Sequence, residues 1–141
     1  MSHKRVKIDG LTDEVMKTME DFRDVVAEDM KLAIMNAAKC VKKEIHDTAP
    51  ISKITYEESG LHKYYQSWGV TTRRETAEYL GVAVHSKDRY QIAHLLENGH
   101  AKRGGGREPV KAIPHIKPAE ELGEEKLDLY LKRLLARSGK K

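Results

Sequence analysis

The chain has 141 residues, 39% of them hydrophobic and 34% charged, with one Phe, one Trp and a net charge of +4. That length fits one domain, 1–141, with a modest core. It holds no apolar window long enough to span a bilayer, nothing resembling a signal peptide, and no dense basic face of a dedicated DNA binder. The lone Cys40 leaves no intramolecular disulfide to form, so a reducing cytoplasm is the expected compartment.

Residues 1–11 read as an N-terminal arm. From Thr12 to about Asp47 apolar residues recur at steps of three and four: Val15, Met19, Phe22, Val26, Met30, Ile34, Ala37, Val41 and Ile45. This spacing predicts one long amphipathic helix, with Thr12 as cap, Asp13 and Glu14 at its positive end, and Thr48-Ala49-Pro50 as its stop. At ~1.5 Å per residue it would reach roughly 50 Å, more than the width of so small a domain. Part of its apolar face is therefore expected to find its cover on another subunit, and Met16, Met19, Met30 and Met35 make that face adaptable.

Residues 50–60 read as a loop. Two strands follow, "LHKYYQSWGVTTRR" and "TAEYLGVAVHS", joined near Glu75 and supported by Trp68, Val70, Thr72, Tyr79, Val82 and Val84. A short helix is predicted from Tyr90 to Asn98 and stopped by Gly99. "PVKAIPHIKP" reads as a third strand, with Pro109, Pro114 and Pro118 suited to an edge. A second amphipathic helix closes the chain on Leu122, Leu127, Tyr130, Leu131, Leu134 and Leu135, ahead of a basic tail, 137–141. The fold class is α+β, two helices packed on a small, mainly antiparallel sheet with a short helix between.

The polar motifs exclude more than they offer. His94 and His100 stand six apart with Gly99 between them, so they do not share a helix face as a zinc pair would, and no CxxC exists. No metal site and no cofactor are expected. "KRGGGREP" lacks the GK[ST] ending of a phosphate loop. Cys40 lies beside the apolar stripe, no GxSxG is present, and the pairs Glu57-Glu58 and Glu120-Glu121 diverge, so no catalytic residue is named.

Residues 100–109 form a basic, flexible glycine loop. Its cations Lys102, Arg103 and Arg107 have two uses, contact with a neighbouring protein or an RGG-like contact with nucleic acid. Three consecutive glycines, Gly104, Gly105 and Gly106, are costly to order, which suits a loop fixed only on assembly.

The order of short motifs resembles the small neck or tail-completion proteins of long-tailed, non-contractile bacteriophages, often labelled "gene product ten"-type minor tail components. The matching positions are Gly10-Leu11, Ala49-Pro50, Ser59-Gly60-Leu61 with Ser67 and then Trp68, Tyr90 through Glu97-Asn98-Gly99, and Pro114, Pro118 and Ala119 in "IPHIKPAEE". They span almost the whole chain. His115 stands where the family carries Phe, Asn98 where it carries an aromatic, and His100 where Thr is common.

The resemblance implies a structural subunit of a ring at the head–tail junction or the top of the tail tube, hexameric by analogy with the sixfold tail. The protein would be made in the host bacterial cytoplasm and carried in the virion. Its partners would be copies of itself and head-completion or connector, tail-terminator or tail-tube proteins. DNA would pass through the lumen without specific binding, and no membrane is involved. Arg89, Lys102, Arg103, Gly104, Gly105, Gly106, Arg107, Ile113 and His115 are the candidate assembly residues. Pro50, Gly60, Leu61, Trp68, Tyr90, Glu97, Gly99, Pro114 and Pro118 are the family's structural positions. The alternative is a small nucleic-acid-binding module working through the glycine loop.

Overall fold

The structure, a computed structural model, describes residues 11–51 and 63–138. Helix α1 runs Leu11–Thr48, strands β1 and β2 are Trp68–Glu75 and Leu80–Ser86, α2 is Tyr90–Asn98 and α3 is Ile116–Ser138. Residues 1–10, Gly60, Leu61 and the last three residues of the basic tail lie outside the described part, whereas Leu11 opens α1 and residues 137 and 138 still belong to α3.

The long helix, the short helix and the closing helix match the periodicity of the sequence to within a few residues. The α+β class holds: two long helices and an antiparallel hairpin, with a short helix between. Two strand assignments need correction. The first strand does not start at Leu61. Tyr64–Gln66 is a single 3-10 turn, closed where the Ser67 hydroxyl and amide both donate to Tyr64 O, at 2.7 and 3.1 Å. The third strand is absent among the described residues. Pro109 and Pro114 carry no N–H, Val110 makes one isolated bridge to His100, and the Ile113 amide turns instead to Leu96 O at 2.8 Å. What was read as a strand is a strap, and it ends in the first turn of α3.

The hairpin pairs Trp68 with Ser86, Val70 with Val84 and Thr72 with Val82, with a bulge between Thr72 and Arg74. Its base is tied by the buried hydroxyls of Ser67 and Ser86, 2.6 Å apart, and by Lys87 N–H to Ser67 O at 2.9 Å. Its tip leans on α1 through Lys31–Glu75 and Arg23–Glu78 ion pairs of 3.2 and 3.3 Å. Exposed pairs of this kind are worth ~0.2–1 kcal/mol each, so they orient the tip more than they hold it.

Packing concentrates at the C-terminal end of α1. Ile45 and Ala49 bury with Tyr64, Trp68 and Ala119, and Val41, Val84, Ala93, Leu96 and Ile116 close around them. From there α3 runs back along α1, Gly123 against Val41 and Leu131 and Leu134 beside Val26 and Met30. The absence of a side chain at Gly123 lets the two helices approach at that point: a Cβ there would overlap Val41. Gly123→Leu should therefore lift α3 from α1 and cost ~1–3 kcal/mol. The check is a denaturant melt, and an unchanged midpoint would contradict this account of the helix pair.

Candidate functional site

Among the described residues, little but the hairpin tip stands against α1 on the N-terminal side of Val26. Every described side chain from Asp13 to Val25 is exposed except that of Glu14, which is half-buried. At ~1.5 Å per residue this is an overhang of roughly 20 Å. The apolar stripe does not stop where the cover stops. The face that carries Ala33, Ala37, Val41 and Ile45 into the interior carries Met16, Met19, Phe22 and Met30 into solvent, and Met19, Phe22 and Val25 are each at least 60% exposed. With Leu80 and Glu78 of the hairpin tip, Met16, Met19, Phe22 and Met30 line a groove of about 710 Å³, flanked by Glu20 and Arg23. Large contiguous apolar surface on a chain this charged marks an interaction face. Sequence periodicity predicts the stripe; the groove also depends on the hairpin tip, whose position no local pattern encodes.

The glycine loop is the second exposed feature. His100 and Val110 exchange backbone hydrogen bonds of 3.2 and 2.7 Å, which closes residues 101–109 into a protruding arm. All nine are exposed, and a weak turn from Lys102 O to Gly105 N–H forms its tip. Gly104 and Gly105 have φ of 99° and 79°, and beyond their chain neighbours no atom lies within 4 Å of where a Cβ would stand. Lys102, Arg103 and Arg107 share this arm. Arg89 does not: it precedes α2, whose nine residues separate it from the arm by ~13 Å. Ile113 is 43% exposed on the strap. His115 is fully buried, so it has no surface to offer a partner.

His115 belongs to the lock beneath the arm. Glu97, on the last turn of α2, aims its carboxylate at the start of α3. Oε2 accepts from the amides of His115 and Ile116 at 2.7 and 2.9 Å, and Oε1 from Lys117 at 2.9 Å. The next residue, Pro118, has no amide hydrogen, so a single side chain satisfies every free donor of that helix end. His115 Nδ1 lies 2.6 Å from Ile113 O and 3.1 Å from Glu97 Oε2, so it carries the hydrogen; Nε2 then accepts from the Tyr64 hydroxyl at 2.7 Å. Burial, with the Glu97 carboxylate nearby, pushes the Tyr64 phenol up to about 12. Burial also opposes ionisation of Glu97, but three backbone donors and His115 outweigh it and hold the carboxyl below its ordinary value.

Gly99 follows the lock with φ 77° and ψ 168°, a combination open essentially to glycine alone. A Cβ there would meet Val110 O at 2.6 Å and Ala112 N at 3.0 Å. Of the other family positions, Pro50 follows α1, Trp68 is buried in the core, Tyr90 opens α2 with its ring exposed, and Pro114 is exposed on the strap.

Among the described residues no group of His, Cys, Asp and Glu could hold a metal ion. Cys40 is half-buried with its Sγ 3.6 Å from the Tyr130 hydroxyl, where the α1–α3 pair packs. Among the described residues no helix is long and apolar enough to cross a membrane.

A protein-family model, described as "Bacteriophage HK97-gp10, putative tail-component", matches residues 13–99. No curated protein and no solved structure matches the chain. The matched segment ends at Gly99, so both the α1 face that packs on α3 and the Glu97 cap of its first turn lie within it.

Because Glu97 has a depressed folded value, its contribution is present at neutral pH and lost as pH falls below the ordinary 4.5 through that lower value. Glu97→Gln should cost ~1.5–3 kcal/mol at pH 7. The gap to wild type should close in acid as the wild-type carboxyl protonates. Thermal melts across pH read both, and a gap of constant size at every pH would contradict the charged cap.

Proposed function

Because the chain belongs to the HK97-gp10-like family, described as phage tail components, we propose that it is a structural subunit of the virion. It acts as one copy in a ring at the head–tail junction or the top of the tail tube. We take it as one domain, 1–141, working by protein–protein contact, with no catalytic role and no cofactor. The observation that carries this reading is the bare half of α1, where an apolar stripe continues past the end of its own core. A lone soluble subunit gains nothing from that surface; a subunit whose neighbour covers it does.

A ring is built from a heterologous contact, in which one face of each copy meets a different face of the next. The groove on α1 supplies one such face and the arm and strap another. By analogy with the tail the ring has six copies, and it sits against head-completion, connector, tail-terminator or tail-tube proteins. DNA passes through its lumen without being gripped. Cations concentrated on the lumen wall would retard the duplex, so the arm is assigned to protein contact.

Removing the gene should leave filled heads and complete tails that fail to join, as counted by electron microscopy of lysates; a normal yield of joined particles would overturn the reading. In the purified protein, Met19→Glu with Phe22→Glu should leave the melting temperature within a few degrees of wild type, since both side chains are already exposed. The same change should abolish concentration-dependent assembly in sedimentation. Deleting Gly104 to Gly106, all exposed in the protruding arm, should likewise spare the melt and impair assembly. A large loss of stability from that deletion would contradict an assembly role for the arm.

A further inference from the structure

The groove on α1 is apolar along its floor and acidic in its setting. From Asp13 to Asp29 the helix carries seven carboxylates and two cations. A helix is only ~10 Å wide, about one Debye length, so charges on all its sides contribute to the potential at the groove. Arg23 and Lys31, which line the groove, are already engaged by carboxylates of the hairpin, Glu78 and Glu75. Glu20 lines the same groove with no cation partner among the described residues.

The opposite composition stands at the other end of the molecule. Residues 100–113 carry Lys102, Arg103, Arg107 and Lys111 against one carboxylate, Glu108. They also present Val110 and Ile113, 36% and 43% exposed. The base of this segment is fixed to the core end of α1, because Ile113 bonds to Leu96, and Leu96 and Ile116 pack against the core cluster to which Ile45 and Ala49 belong. From Ile45 back to Phe22 is ~35 Å along the helix. A nine-residue arm tethered at both ends reaches ~15 Å at most. It cannot reach the Met19–Phe22 part of its own groove, so the two complementary faces point to different copies.

We propose that the occupant of the α1 groove is a second copy of this chain, whose basic arm and strap, residues 100–113, dock on the acidic overhang of its neighbour. The proposal rests on the ring reading and specifies its heterologous contact. Val110 and Ile113 meet the apolar floor near Met19 and Phe22, while Lys102, Arg103 and Arg107 meet the carboxylates around Glu20.

Two charge-reversed variants of the whole chain test it. One carries Lys102→Glu, Arg103→Glu and Arg107→Glu. The other carries Glu20→Lys, Asp21→Lys and Asp24→Lys. All six positions are exposed, so each variant should melt like wild type, and circular dichroism checks that first. In sedimentation at ~0.05 M salt each variant alone should need on the order of tenfold more protein to assemble, and the deficit should shrink as salt rises. Mixed in equal amounts the two should assemble again, because every arm then finds an α1 of opposite charge. Either variant assembling like wild type, or two folded variants failing to rescue each other, overturns the contact while wild-type assembly keeps the ring reading. Wild-type protein that stays monomeric at every concentration overturns the ring reading itself. If arm reversal leaves assembly intact but abolishes salt-sensitive binding to duplex DNA, the arm serves nucleic acid and the contact is overturned.

Discussion

One carboxylate decides how the C-terminal part of this chain is arranged. Glu97 takes the three amides that open α3, and Pro118 removes the need for a fourth. A charge only 13% exposed would be expensive alone; with three donors and the ring of His115 beside it the site favours the ionised form. The same histidine hands the constraint on to Tyr64, which packs edge-on against both His115 and Trp68. The family position occupied here by His115 is therefore compatible with burial because Tyr64 and Ile113 satisfy both ring nitrogens. Helix α2, the strap, α3 and the core are fixed relative to one another by one connected set of polar contacts.

That lock sits at one end of a 38-residue helix, and the consequence is asymmetry. The core end of α1 is enclosed; the other end projects with six large apolar side chains in water, Val15, Met16, Met19, Phe22, Val25 and Met30. Fully burying such a side chain is worth ~1.5–3 kcal/mol, so covering even the exposed half of each offers on the order of 5–10 kcal/mol. The translational and rotational cost of association falls in the range of ~4–15 kcal/mol. The two are comparable, so in the proposed ring single copies would pair reversibly and close firmly only when a subunit is held on both sides.

What the sequence disclosed follows the range of the interactions involved. The spacing of Val15 through Ile45 and the glycine after Asn98 are local signals, and they located α1 and α2 closely. Ser67 turned the chain before β1, through a bond to Tyr64 three residues back; the β-branched run after it masked that turn. The strap was misread as a strand because its alternation of apolar residues is real but it has no partner strand. Burial of His115 and the capping by Glu97 depend on contacts 18 to 51 residues apart, beyond any periodicity. The bare half of α1 was legible as excess length, though not the hairpin tip that turns it into a groove.

The arm shows the same division between a fixed base and a free tip. Gly99 and the His100–Val110 bridge hold its root, while Gly104 and Gly105 touch nothing outside their own chain segment. Fixing each backbone residue of the tip costs ~1–2 kcal/mol. An exposed ion pair returns only ~0.2–1 kcal/mol. Three cations cannot offset the ordering of three glycines and their neighbours by charge alone, so in the contact proposed above affinity would have to come from apolar contact at the root, where Val110 and Ile113 are already held in place. In that contact the charges would set which surface is chosen and in which register, and the glycines would let the tip conform after the root has seated.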